Sequence, residues 1–388
     1  MKKICMVAYT YYSLDARVIK EAQALVQQGY IVDALCLSPN GRAKFEIVNG
    51  VNLYCLPLSK YRGTTSIRYM LTYISFFVLS FLLVSKLYLR RRYDVIQFHT
   101  LPDFIIFGGI IPKICGAKLI LDMHEIMPEF YMSKFGVATS HPIIRILKLL
   151  EKISVHFADA VIVINEPIKR VLLQRCARES DVTVIMNSAD DRLFCYDGLP
   201  PYGSAKGFSL MYHGTLTQLY GVELGIQAVA KLKDKIPHLE FRIFGAGEDH
   251  LKKLAGELGV THNVLFMGRV AREEIPKYMK HADVGVLPTI RDIFIDLSFS
   301  NKLAEYVCMK KPVVATRLKS TLEYFPEDAI SYFESRNVDE LASRILDLYV
   351  NPQKRLSQAE KAFQEYQNIR WEIMRKRYVE LIKSLVGA

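Results

Sequence analysis

Lys302 and Glu305 stand three residues apart in the stretch SFSNKLAEYVCMKKPVVAT (298–316). A helix over about 300–310 places both on one face near its N-terminus. Unpaired N–H groups and the helix dipole favour negative charge there, and an ammonium adds to that preference, so the pattern suits a phosphate. The carboxylate, one turn further in, is placed to accept hydrogen bonds from hydroxyl groups. A solvated ion pair has the same spacing, and the spacing alone does not separate the two readings. Glycines recur where strand-like runs end: Gly214, with Thr215 and a loop that reaches Tyr220 and Gly221; Gly245 and Gly247; and Gly268, followed by Arg269 and Val270. Such positions let backbone approach a ligand closely. His250 replaces the third glycine of a dinucleotide fingerprint, which disfavours a dinucleotide-dependent dehydrogenase.

In the first half, His99 and His124 end two apolar runs, and Asp122 and Glu125 flank the second. Two strand-end histidines facing one groove read as functional. No third ligand falls at metal-binding spacing, so no metal is expected. No G-x-S-x-G or Cys–His hydrolase signature is present.

The elements that must position these residues alternate strand and helix, the pattern of parallel α/β architecture. Strands are expected at 3–9, 32–37, 94–99, 118–124, 160–164 and 182–186, then at 208–214, 239–245, 263–268, 284–289 and 312–316. Helices are expected at 16–29, 140–158, 221–233, 249–258, 272–281, 300–310 and 338–349, with one long last helix over about 353–386. The fold class is α/β, with two Rossmann-like, doubly wound domains facing each other across a cleft. The expected domains are 1–190, a linker at 191–207 that is rich in Pro, Gly and Ser, 208–360, and a helix over 361–388 that returns to the first domain. Asp190 and Asp191 read as solvated turn residues. Ligands of doubly wound sheets bind outside the carboxyl ends of the strands, where the residues above lie.

The chain has 388 residues, 51% hydrophobic and 23% charged, enough for two cores. Its seven cysteines lack C-x-x-C spacing and read as reduced thiols of a cytoplasmic protein. The N-terminus lacks the features of a signal peptide and reads as a first strand. A net charge of +11 calls for an acidic partner. Nucleic-acid motifs are missing, so no nucleic-acid partner is expected. Tyr69 to Ser85 carries no charge and is flanked by Arg62, Arg68, Lys86 and Arg90 to Arg92. At roughly 25 Å it falls short of a bilayer core. It reads as a helix lying in an anionic membrane interface through residues 62–92.

Together these segments resemble the GT-B fold glycosyltransferases, in particular the retaining family 4 type. The likeness is strongest in YHGTLTQLYGVELGIQA, in FRIFGAGEDHLKKLAGELGVTHNVLFMGRVAREEIPKYMKHADVGVLP and in SNKLAEYVCMKKPVVAT, and it extends to SLDARVIKEAQALVQQGYIVDAL, VIQFHTLPDF and LDMHEIMPEF. The resemblance implies transfer of a sugar, with retention, from a nucleotide-diphosphate sugar (UDP-linked by default) to a lipid-linked or polysaccharide acceptor. No cofactor is implied. Catalytic roles fall to His124, Asp296 and Glu305. Donor contacts fall to Gly214, Thr215, Tyr220, Gly221, Gly245, Gly247, Arg269, Val270, Asn301 and Lys302, and the acceptor side to Asp15, Arg17, His99 and Glu125. The family usually has two glutamates eight apart; Glu305 matches the second, Leu297 occupies the place of the first, and Asp296 beside it is the expected substitute. Tyr220 stands where a lysine is usual, which leaves Lys302 as the diphosphate cation. A nucleotide-sugar epimerase of the same fold and an inactive membrane-bound scaffold are the alternatives. The expected location is cytoplasmic, peripheral on the inner face of the cell membrane, in surface polysaccharide synthesis.

Overall fold

Runs such as KICMVA, VIQFH and AVIV show no polar alternation, the mark of parallel strands covered on both faces. The computed structural model describes residues 1–61, 65–196 and 207–387. Arg62 and positions 197–206 of the expected linker lie outside the described residues. The chain divides into two units, Met1–Met186 with Glu372–Ala388, and Asn187–Trp371.

The first unit is built on β1 (Lys3–Ala8), β2 (Ile31–Leu37), β3 (Lys44–Val48), β4 (Val51–Leu56), β5 (Val95–His99), β6 (Lys118–Met123), β7 (Ala160–Val163) and β8 (Val182–Val184). Their order in the sheet is β3-β4-β2-β1-β5-β6-β7-β8. All neighbours are parallel except β3 and β4, which form a hairpin absent from the expected strands. Its signals are in the sequence: alternation in KFEIV, then Asn49 and Gly50 at positive φ in the turn. The helices are α1 (Ala16–Gln27), α2 (Ser66–Arg91), α3 (Ile110–Ile114), α4 (Met127–Phe135), α5 (Pro142–Phe157) and α6 (Glu166–Arg175).

The second unit carries β9 (Phe208–His213), β10 (Leu239–Phe244), β11 (Val264–Gly268), β12 (Val284–Leu287), β13 (Val313–Thr316) and β14 (Ser331–Phe333). Their order is β11-β10-β9-β12-β13-β14, all parallel. The short β14 was not expected: three residues carry too little pattern. The helices here are α7 (Val222–Leu232), α8 (Asp249–Glu257), α9 (Ile275–Lys280), α10 (Asn301–Cys308), α11 (Lys319–Leu322), α12 (Val338–Val350) and α13 (Pro352–Tyr366), and α14 (Trp371–Val386) follows.

The single last helix expected over 353–386 is two helices, because each buries its own stripe. Gln358, Ala359, Ala362 and Tyr366 of α13 are buried, with α13 packed on α10 and α12 in the second unit. The Tyr366 hydroxyl donates to Asp191 and accepts from the Ala189 N–H, both at 3.1 Å. Asp191, expected as a solvated turn residue, is therefore an anchor, and residues 187–190 group with the second unit. The return to the first unit starts at Glu372, not at 361. There Met374, Tyr378, Val379 and Ile382 of α14 are buried, the Met186 N–H lies 3.2 Å from the Met374 sulfur, and the Tyr378 hydroxyl donates to Gln97 on β5 at 2.6 Å.

Gly285 on β12 lets the ring of Tyr306 lie flat against the sheet: a Cβ there would stand 2.8 Å from ring carbons. Gly285→Ala is expected to lower stability by about 1–3 kcal/mol, the range of an overpacked core, read as a lower Tm in thermal unfolding.

Candidate active site

In the second unit the site grows from the end of β9 and the start of α10. Ser300 caps α10, its hydroxyl accepting from the Leu303 N–H at 3.4 Å. That start sets Lys302 in the first turn and Glu305 one turn on, with Asn301 exposed beside them. Lys302 runs under Gly214: a Cβ on Gly214, whose φ is +121°, would stand 2.3 Å from the lysine Cε. The ammonium lies 4.2 Å from the ring centroid of Tyr220 and 5.8 Å from that of Tyr212. Among the described residues it makes no hydrogen bond and no ion pair. Burial pulls its pKa down to about 8, partly opposed by the Glu305 charge. A cation largely out of water, with a carboxylate nearby but none in contact, is an anion site in waiting.

Glu305 is buried and already held. The His213 ring Nε2 lies 2.8 Å from one carboxylate oxygen, and Arg272 donates to the other at 3.1 Å. Burial alone would raise this carboxyl, but His213 and then Arg272 keep it below the usual range. Tyr306, whose hydroxyl donates to the Met211 carbonyl at 2.9 Å, backs the other ring nitrogen of His213 at 3.1 Å. His213 and Arg272 were not picked out from the sequence. His213 ends a strand just as His99 does, so the signal was there. Arg272 sits in a polar turn that carries no pattern.

The glycines act differently from the expectation. The N–H groups of Gly214, Gly221 and Gly245 donate to Phe244, Gln218 and Gly268 at 2.8, 3.0 and 2.9 Å. They turn the chain and are not open donors. Gly221 takes a φ of +60° before α7, where a Cβ would meet the Pro288 carbonyl at 2.0 Å. Thr215 offers its carbonyl to the Tyr212 hydroxyl at 2.6 Å, which fixes the loop. Gly247, Arg269 and Val270 follow β10 and β11 as expected, with Arg269 exposed. Asp296 is otherwise engaged: it accepts from the Lys319 N–H at 2.9 Å, at the N-terminus of α11, and lies 3.4 Å from the Lys319 ammonium.

In the first unit a buried network stands behind a cavity. Arg17 donates to both oxygens of Asp122, at 2.8 and 3.1 Å, and to the Ile185 carbonyl at 2.7 Å. Gln97 bridges Asp122 and Glu21 at 3.0 and 2.7 Å. The two carboxyls share one guanidinium and part company. Burial pushes Glu21 up, whereas at Asp122 the Arg17 charge, then the facing histidines, override burial and hold the group well below its usual range. His99 Nδ1 lies 3.0 Å from Asp122 and 3.1 Å from His124 Nε2. Burial lowers His99, so it is a neutral ring between a fixed anion and His124.

His99, Asp122 and His124 bring their ligand atoms within 4.8 Å of one another. The Asp122 oxygen that faces the rings already accepts from Arg17 and Gln97, a donor set that suits a polar network better than a cation. Asp15, His99, His124 and Glu125 line the cavity, of about 290 Å³, with Tyr9, Tyr69, Tyr73, Lys60 and Lys134. Arg17, expected on the acceptor side, lies behind this lining and holds Asp122. Asp15 also caps α1 through the Val18 N–H at 3.2 Å. Burial raises Glu125, against the lowering charges of His124, Lys60 and Lys134.

Two stability measurements follow from these charges. Lys302→Met is expected to stabilise the unliganded protein at pH 7 by about 1–3 kcal/mol, because it removes a charge held out of water. The lysine's folded-state pKa lies below its unfolded value, so the penalty is present below pH 8 and fades as pH rises toward the unfolded value. The gain should shrink over that window in denaturant titrations. Asp122→Asn should cost about 3 kcal/mol, since it takes the two-oxygen carboxylate partner from the buried Arg17 guanidinium and leaves it Glu21 and the Ile185 carbonyl.

Known proteins share this sequence pattern and this fold. A family model described as glycosyl transferases group 1 matches residues 207–351, and one described as Glycosyltransferase Family 4 matches residues 16–193. An uncharacterized glycosyltransferase of Methanocaldococcus jannaschii is 23% identical over 93% of this chain and 92% of its own. The solved sucrose-phosphate synthase of Thermosynechococcus elongatus superposes with a TM-score of 0.79 at 16% identity, over the whole of both chains. Anabaena HepE in complex with UDP superposes at 0.72 with 16% identity, over 99% of this chain and 100% of its own. The order of the two sheets and the two matched family models agree: this chain belongs to the GT-B fold glycosyltransferases and acts on a nucleotide sugar.

Proposed function

We propose that the chain transfers a hexosyl or N-acetylhexosaminyl group, with retention, from a UDP-sugar to a lipid-linked saccharide in surface polysaccharide synthesis. The observation that carries this is the uncompensated ammonium of Lys302 beside Gly214. It provides the positive charge for a diphosphate in a loop that lacks the usual basic residues. HepE, of the same fold, was solved with UDP and with UDP-glucose, which supports a uridine nucleotide.

In this reading the second unit holds the donor. Lys302 neutralises the diphosphate, and preorganised charge of this kind is usually the largest catalytic contribution. Glu305, fixed by His213 and Arg272, accepts from the ribose. Arg269 and Val270 flank the base. Asp296 is committed to α11, so the sugar hydroxyls fall to other groups of the loop. The first unit's cavity takes the acceptor, with His124 and Glu125 on its hydroxyl. The bond from the anomeric carbon to the diphosphate oxygen breaks, and the acceptor oxygen bonds on the same face. The acceptor proton passes to the departing diphosphate. Charge stabilisation by Lys302 takes the role a metal would otherwise fill. The apolar α2 with its arginines keeps the enzyme peripheral on an anionic, cytoplasmic membrane face.

The test is calorimetry and product analysis. Lys302→Met should weaken UDP binding at least tenfold. Wild-type affinity should fall as pH rises past about 8, where Lys302 sheds its proton. Glu305→Ala should lose most transfer activity, and NMR of the product should show the donor's anomeric configuration. Turnover of donor without any acceptor would support an epimerase instead; no transfer by the wild-type chain, with its cellular function unchanged in Glu305→Ala, would support the scaffold.

A further inference from the structure

Twelve of the twenty-one exposed large apolar side chains among the described residues lie on three segments of the first unit. On α2 they are Ile67, Leu71, Ile74, Val78, Leu82 and Leu89, a single helical stripe. The opposite side of that helix is buried through Tyr73, Phe76, Ser80, Val84 and Tyr88. On α3 they are Ile110, Ile111 and Ile114, the last 80% exposed. On α5 they are Ile146, Leu149 and Ile153, again one stripe.

These three segments adjoin. Residues Asp103–Gly109, which lead into α3, pack against both α2 and α5. Phe77 of α2 meets Phe104 at 5.8 Å, and Phe157 of α5 meets Phe107 at 5.1 Å, between ring centroids. The Tyr88 hydroxyl donates to the Cys115 carbonyl at 3.0 Å, just past α3.

The exposed charge on α2 and α5 has one sign. Arg68, Lys86, Arg90 and Arg92 are exposed on α2 and its cap, a segment without a single acidic residue. Arg145, Lys148 and Lys152 are exposed on α5, whose one acid, Glu151, is buried against Arg175. Long basic side chains around an aliphatic surface match an anionic bilayer, with the stems along the apolar part and the heads at the lipid phosphates.

We propose that α2, α3 and α5 form one docking face that lays the first unit flat on an anionic lipid bilayer. The face reaches well beyond the α2 segment that the sequence pointed to. α2 has the length and composition to cross a membrane, but its buried side holds it to the domain, so it docks without spanning. A two-fold dimer through this face would bring its seven exposed basic residues up against a second set of the same seven. The face also bears on the acceptor, and this part rests on the transferase reading above. Tyr69 and Tyr73 line the cavity from the first turns of α2, whose outer side carries Ile67, Leu71 and Ile74. A lipid-borne acceptor can place its head in the cavity while its chain stays beside the apolar stripe.

Flotation of the full chain with vesicles tests the face and needs neither donor nor acceptor, so its failure is separate from that of the transferase reading. The protein should float with phosphatidylglycerol-rich vesicles at low salt, bind phosphatidylcholine vesicles far less, and be released by alkaline carbonate. The α5 variant Ile146→Ser/Leu149→Ser/Ile153→Ser should lose at least tenfold in binding with an unchanged Tm, because these side chains are exposed. Arg145→Gln/Lys148→Gln should lose roughly fivefold per charge. The control Val350→Ser/Leu356→Ser in the second unit should bind as wild type. Wild-type flotation of the α5 variant, equal binding to neutral vesicles or resistance to carbonate would each overturn the proposal. So would a lipid-free dimer that the α5 variant dissolves.

Discussion

An ammonium largely out of water with no carboxylate in contact is the constraint around which the second unit is arranged. Lys302 is kept in place by the missing side chain at Gly214 and by the faces of Tyr212 and Tyr220. None of these neutralises it. The nearest acid, Glu305, is turned to His213 and Arg272, which take up its two oxygens. The unit thus spends stability to keep one positive charge available, and an anion that binds there recovers that energy. Tyr220 is central to this solution. It removes the lysine that the fold usually carries in this loop and supplies an aromatic face for a cation from α10.

The first unit shows the opposite arrangement. Its buried cation, Arg17, is saturated by Asp122, Glu21 and the Ile185 carbonyl. What that network leaves over is direction. Asp122 stays ionised, His99 stays neutral between it and His124, and His124 is presented to the cavity at the end of β6 with its Nε2 side occupied. α14 closes the same network through Tyr378 and Gln97. The returning helix is therefore part of the scaffold of this site, and no mere tail.

Much of this was legible in the chain. Apolar runs ending in His99, His124 and Gly214 gave the parallel strands and the ends that matter. The SFSNKLAEYV stretch gave a helix start with Lys302 and Glu305 in the right order. Other features were hidden because they depend on contacts distant in sequence. Spacing could not reveal that Arg17 lies behind the cavity, since its partner is 105 residues away. Nor could it show that Asp296 caps α11 or that Asp191 anchors Tyr366. Glycine positions point to strand ends where backbone could meet a ligand, yet the N–H groups of Gly214 and Gly245 are taken up by strand neighbours that only the sheet order reveals. The β3–β4 hairpin had its Asn-Gly signal and was passed over because the parallel alternation on either side is louder.

The central claim is that Lys302 waits uncompensated for the diphosphate. NMR of the lysine Nζ resonances, titrated with pH with and without UDP, measures it directly. The account predicts one lysine with a pKa near 8 in the free protein, missing from Lys302→Met and shifted up toward the ordinary lysine range when UDP is bound. A Lys302 that titrates in the ordinary range without nucleotide, and does not move when UDP is added, would contradict it.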